Sequence, residues 1–238
     1  MQKDGRLHEG HRKRVRKKFL INGLDQFESH DILEFILFYA HARGDTNDLA
    51  HRLLQQFGSI AGVLDAPYEA LLKEEGVGEV TAVFLKMIPQ FCRIYYDEKA
   101  NTGKDKKRKI YSFEEAKEVL STKYIGRENE VVMLILLDSQ NRMLYCDVVE
   151  KGSINSVPIY IRKIVSLALQ YHAVSAIISH NHPSGNPLPS PGDLSVTKEI
   201  YHALKAVQVT LVDHIIFADG DYVSMATANI PAGLFESD

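Results

Sequence analysis

His180 and His182, one residue apart, open the stretch HNHPSGNPLPSPGD, and Asp193 closes it eleven positions after the second histidine. In extended backbone, residues i and i+2 project to the same side, so both imidazoles can converge on one point. Four of the chain's eight prolines fall between 183 and 191, making a stiff loop that returns Asp193 at small entropic cost. Two imidazoles and a carboxylate suit a single Zn2+ per chain, with the fourth coordination position left open for water. Zinc lowers the pKa of such a water to about 7, and a nearby carboxylate can then act as general base in hydrolysis of a carbonyl bond. A structural reading competes. Ser190, Pro191 and Asp193 have the spacing of a helix start, with Ser190 at the N-cap, Pro191 at the first helical position and Asp193 at the third. His180 also suits a half-buried strand end, and spacing alone leaves both readings open. Among the other histidines, His214 is best placed to support a ligand from behind, because it sits in an expected strand after Asp213.

These residues need elements to hold them. The β-branched run VSAIIS (174–179) predicts a short strand ending at His180, and DLSVTKEIYHALKAV (193–207) predicts a helix starting at Asp193. VVMLILL (131–137) is a continuous apolar run suited to a buried strand, and RMLYCDVV (142–149) reads as its hairpin partner across the turn Asp138–Asn141. IRKIVSLALQYHA (161–173) is an amphipathic helix, while VTLVDHIIFA (209–218) and YVSMA (222–226) form a hairpin about Asp219-Gly220-Asp221. Strands alternating with helices imply an α/β domain, a mixed sheet flanked by helices.

The first half reads as all-α. HDILEFILFYAHA (30–42) follows a cap expected at Asp31, TNDLAHRLLQQFG (46–58) stops at Gly58, and three shorter helices follow, punctuated by Ala66-Pro67 and Gly76-Val77-Gly78. No period-2 strand is expected before residue 110. DEKANTGKDKKRK (97–109) has no apolar residue beyond Ala100 and reads as exposed. The expected division is a helical domain over 1–97, a basic linker over 98–109 and an α/β domain over 110–238.

Only two cysteines occur, Cys92 and Cys146, without CxxC spacing, which argues against a disulfide framework or thiolate zinc site and favours a reducing cytoplasm. No apolar run approaches the roughly 18–20 residues of a membrane span, and the charged start lacks the apolar stretch of a signal peptide. The net charge of −3 hides a basic segment from Arg12 to Lys18. It is either a solvated helix face or a phosphate-contacting one, which makes Arg12, Lys13, Arg14 and Arg16 the candidates for DNA contact. The sequence sets no oligomeric state.

The stretch HNHPSGNPLPSPGD is similar to the JAMM (MPN+) metal motif, His-x-His, ten residues, then Asp, with a serine three before that Asp. With its HPSG and P-x-P-S it resembles the bacterial RadC family. The likeness extends through the helical start, the GVG turn, LLDSQNRMLYCDVVEKGSINSVPIY and VDHIIFADGDYVS. The resemblance implies a cytidine-deaminase-like JAMM/MPN domain preceded by a small helix-hairpin-helix-like domain. Characterised JAMM relatives are zinc isopeptidases and deubiquitinases, whereas RadC carries a DNA-repair label. The implied function is a zinc metallopeptidase or isopeptidase; the alternative is a DNA-repair accessory or DNA-binding protein with a structural or vestigial metal site. By position, His180, His182 and Asp193 are the implied metal ligands and Ser190 the implied stabiliser of the tetrahedral intermediate. The family's general base is an upstream glutamate, and Asp147, five before Gly152, stands where it is expected. Glu150 lies three positions along the same strand, on the opposite face of a regular strand. Asn155 and Ser156 follow, as candidates to orient a substrate carbonyl. In the turn KEEGVGEVTA, Glu74, Glu75 and Glu79 oppose phosphate contact, and Thr81 stands where the family often has lysine.

Overall fold

The 3–4 apolar spacing of the first hundred residues folds into helices in this computed structural model, which describes residues 4–42, 45–101, 108–152 and 157–235. They are α1 (Asp4–Asn22), α2 (Ser29–Ala40), α3 (Asn47–Phe57), α4 (Ile60–Asp65), α5 (Tyr68–Leu71) and α6 (Glu79–Asn101). The chain divides into two units, Met1–Cys92 and Arg93–Asp238.

In the first unit, Leu33 and Leu37 of α2 pack with Leu49 and Leu53 of α3, Val63, Leu71, Ala82 and Leu85. At the start of α2 the residue before the helix is Glu28, and Asp31 reaches back to its amide at 3.4 Å, so Asp31 stands inside the first turn rather than at the cap. α1 is tied on by polar contacts: His11 Nε2 lies 3.0 Å from Glu34 Oε1, and Arg12 donates to the His41 carbonyl at 2.6 Å. Arg12 also lies over the Phe38 ring. It is thus a packing residue, while Lys13, Arg14 and Arg16 are exposed. Thr81 is buried and bonds His41 Nε2 at 3.0 Å, so its side chain faces inward.

α6 runs through Asn101, into the stretch expected to be linker. The far end of that stretch joins the sheet: the Arg108 carbonyl accepts from Met143 N, and Lys109 bridges Arg142.

The second unit adds α7 (Phe113–Tyr124), which was not among the expected elements, and then the sheet. Its strands are β1 (Val131–Leu137), β2 (Met143–Lys151), β3 (Ser175–Asn181), β4 (Thr210–Ala218) and β5 (Asp221–Ser224), with α8 (Val157–Gln170) and α9 (Pro191–Ala206) between them. The order is β2-β1-β3-β4-β5, parallel only between β3 and β4. Both β1 and β3 are buried along their whole length, β1 as its continuous apolar run demands. One face packs Val132, Leu134 and Ile178 against Tyr160 and Ile164 of α8 and Val196 and Ile200 of α9. The other packs Met133, Ile135 and Ile177 against Ala116, Val119 and Leu120 of α7. Full burial of each such Leu, Ile or Val contributes about 1.5–3 kcal/mol. Among the described residues no helix is long and apolar enough to cross a membrane.

Candidate metal centre

His180 is the sixth residue of β3, paired with Val132 of β1 and Ile216 of β4. His182 continues the strand direction, its amide donating to the Phe217 carbonyl at 2.7 Å. The i, i+2 relationship holds: both rings turn the same way, and their Nε2 atoms lie 2.8 Å apart. The loop then bends through Gly185, at φ +81 and so close to Asp219 that a Cβ would meet Oδ2 at 2.7 Å, a position only glycine fills without strain. His182 Nδ1 lies 2.7 Å from the Asn186 carbonyl, which only accepts, so Nδ1 carries the ring proton and Nε2 keeps a lone pair.

α9 delivers the carboxylate through a capping box, as the alternative reading of the sequence anticipated. Asp193 Oδ2 accepts from the Ser190 amide and hydroxyl, each at 2.7 Å, while Asp193 N donates to Ser190 Oγ. The two roles are compatible because the carboxylate has two oxygens: Oδ2 caps the helix, and Oδ1 faces His180 Nε2 at 3.2 Å. Burial pushes the Asp193 carboxyl up, but His180 and the Ser190 hydrogen bonds outweigh it and hold the group well below the usual carboxylate range. Ser190 Oγ thus commits its proton to Asp193.

His180, His182 and Asp193 bring their donor atoms within 4.8 Å of one another, a group able to hold a metal ion. Two lone-pair nitrogens and an ionised carboxylate crowded together need a proton or a cation between them. A metal ion satisfies all three at once, so the donor set fits one. His180 and Asp193 are buried, and the side chain of His182 retains 16% exposure, which marks the side open to solvent. Behind His180 lies His214 of β4, its Nε2 2.8 Å from His180 Nδ1. His214 is fully enclosed, and burial pushes it well below its ordinary pKa.

Asp147 is not brought to this cluster. It is exposed on edge strand β2, level with Leu134, and its charge acts on Arg127 and Tyr145. The carboxylate that does approach is Glu130, immediately before β1. Burial raises its pKa, and the charges of His180, Asp193 and His182 all act on it. The Glu130 carbonyl accepts from Gly152 N at 2.8 Å. Sequence reasoning passed over Glu130 because its nearness to His180 depends on strand register; the available signal was a carboxylate directly preceding a buried strand. Glu150 is also better placed than regular alternation allows. The register jumps from Val132↔Glu150 to Met133↔Val148, a bulge at Val149 that puts Glu150 in the same cross-strand row as His180. Asn155 and Ser156 lie outside the described residues.

Residues 110–230 match the family described as RadC-like JAB domain. The chain is 34% identical over 220 residues to UPF0758 protein FN0909 of Fusobacterium nucleatum subsp. nucleatum, covering 91% of this chain and 95% of the relative. It is 34% identical over 206 residues to UPF0758 protein SPO0054 of Ruegeria pomeroyi, covering 87% and 90% of the two chains. With the family model matching half of the chain and likeness along most of it, the protein belongs to the RadC-like JAB domain family.

Proposed function

We propose that this protein is a zinc-dependent hydrolase of peptide or isopeptide bonds, with His180, His182 and Asp193 holding one ion and Glu130 acting as general base. The observation that carries it is the convergence of two imidazole lone pairs and a carboxylate beside a second carboxylate whose pKa is raised. The Asp193 oxygens stand 3.2 and 3.4 Å from the two histidine nitrogens. With the two Nε2 atoms 2.8 Å apart, these are the three groups that would hold the ion. The bound ion supplies Lewis acidity, polarising the scissile carbonyl and making water acidic enough to attack at neutral pH.

Glu130 takes the proton of the attacking water as the new C–O bond forms, and hands it to the departing amine as the C–N bond breaks. A carboxylate with a raised pKa suits both halves of that transfer. Glu130 replaces Asp147 in this role. Ser190 holds the ligand carboxylate; to steady a developing oxyanion its proton must first turn away from Asp193. The test is hydrolysis of a panel of fluorogenic peptide and isopeptide substrates by the zinc-loaded protein and its Glu130→Gln variant. Cleavage by the first and not the second is expected; equal rates overturn the assignment of the base.

A second reading, DNA contact by the first unit, is favoured by the exposure of Lys13, Arg14 and Arg16 on α1. It predicts a salt-dependent mobility shift that disappears when those three are neutralised; a shift unchanged in that variant counts against it.

A further inference from the structure

Beyond the three ligands, a buried hydrogen-bonded chain runs through the core of the second unit. His180 Nδ1 meets His214 Nε2 at 2.8 Å, His214 Nδ1 meets Thr197 Oγ1 at 2.6 Å, and Thr197 Oγ1 meets the Asp193 carbonyl at 2.5 Å. It begins on one ligand residue and ends on another, crossing from β3 through β4 to α9. His180, Thr197, His214 and Asp193 are all at 2% exposure or less, so water does not compete for these groups.

The direction of each bond follows from what each atom can do. The Asp193 carbonyl only accepts, so Thr197 spends its single hydroxyl proton there, the usual back-bond of a helical threonine to residue i−4. The Thr197 oxygen therefore accepts from His214, whose proton sits on Nδ1. A neutral imidazole has one N–H, so His214 Nε2 offers a lone pair, and His180 must donate to it from Nδ1. A neutral His180 then carries its lone pair on Nε2, which faces Asp193 Oδ1 and His182 Nε2.

We infer that His214 and Thr197 are positioning residues that lock His180 in the Nδ1–H tautomer, aiming its Nε2 lone pair into the centre. The pair does for His180 what the Asn186 carbonyl does for His182, and it anchors the device on the backbone of the third ligand. A carbonyl would suffice to orient one ring; the His214–Thr197 chain also couples β3 to the first turn of α9. The inference rests on the metal-centre reading only in that an ion receives the lone pair, because the His180 Nδ1–H bond to His214 forms with or without metal.

The experiment therefore has two readouts. Long-range 1H–15N spectra of the imidazoles in the metal-free full-length protein report the tautomer of His180. Competition with a chromogenic chelator reports zinc affinity, with the Co2+ absorption spectrum as a check on coordination. The wild type is expected to show His180 as Nδ1–H. Thr197→Val, which keeps the shape of the side chain, and His214→Leu are expected to mix the tautomers and weaken zinc binding about 10–100-fold. His214→Gln, whose Oε1 can still accept from His180 Nδ1–H, is expected to recover part of that loss. A wild type that shows the Nδ1–H tautomer but takes up no zinc defeats the metal-centre reading and leaves the lock standing. His180 found as Nε2–H, or a folded Thr197→Val with unchanged tautomer and affinity, overturns the lock.

Discussion

The side-chain amide of Asn181 brackets Glu130. Its Oδ1 accepts from Val131 N at 2.9 Å, and its Nδ2 donates to the Asn129 carbonyl at 3.2 Å. Asn181 is the residue between the two histidines, so the strand that presents them also fixes the backbone on both sides of the proposed base. Asn181→Ala removes both bonds while leaving His180, His182 and Asp193 in place. Zinc content should be unchanged and kcat should fall by up to about 100-fold, the scale of a misplaced catalytic group. Metal analysis beside single-turnover kinetics checks this, and parallel loss of zinc and rate would argue for general disruption instead.

Glu130 and Asp147 make opposite predictions. Glu130→Gln should retain zinc and lose about 10²–10⁴-fold in rate, the range for removal of a general base. Asp147→Ala, on the exposed edge of β2, should stay within a few-fold of wild type. Rates for the two variants on one substrate decide between them.

The pH dependence follows from the same carboxylate. Burial raises the Glu130 pKa above its ordinary value, and the base works ionised, so the rate should climb with pH through a limb displaced upward from the usual carboxylate range. A raised folded-state pKa also means that Glu130 stabilises the metal-free fold below its unfolded value and loses that contribution as pH rises through the folded one. Metal-free Glu130→Gln should therefore melt higher than wild type at neutral pH, with the difference vanishing in acid. Asp193 has the reverse sign: its depressed pKa stabilises the fold above the unfolded value, and that contribution is lost as pH falls through the folded one. Thermal melts across pH test both signs.

Ser190→Ala deletes a helix cap and two of the bonds around Asp193. It should lower stability by about 0.5–2 kcal/mol, as cap removal does. Zinc binding should weaken with it, because Oδ2 is then held by the Ser190 amide alone. Denaturant unfolding and chelator competition measure the two effects; an unchanged zinc affinity would show that the ligand carboxylate does not depend on its cap.

Much of the second unit was legible because its central strands β1 and β3 are buried throughout, and β1 is apolar along its whole length. VVMLILL matches β1 residue for residue, and the strand ending near His180 and the helix beginning at Ser190-Pro191 follow from β-branching and cap spacing. α7 was missed although Ser112 and Glu115 form a capping box and Phe113, Ala116, Val119 and Leu120 repeat at helical spacing. Glu130, Asn181 and the Glu150 bulge escaped for one reason: their positions depend on how β1 pairs with its neighbours, and register is a property of two strands together. Asp147 was a motif-spacing argument carried along one strand, and such an argument cannot say which carboxylate lies across from His180. The His214–Thr197 chain was half visible, since His214 stood out in its strand but its partners come from α9.

The central claim is that His180, His182 and Asp193 hold one ion, and elemental analysis after zinc reconstitution and gel filtration tests it most directly. The account predicts close to one zinc per chain in the wild type and in Glu130→Gln, and almost none in Asp193→Asn. A reconstituted wild type without zinc, or an Asp193→Asn variant that keeps it in full, contradicts the account.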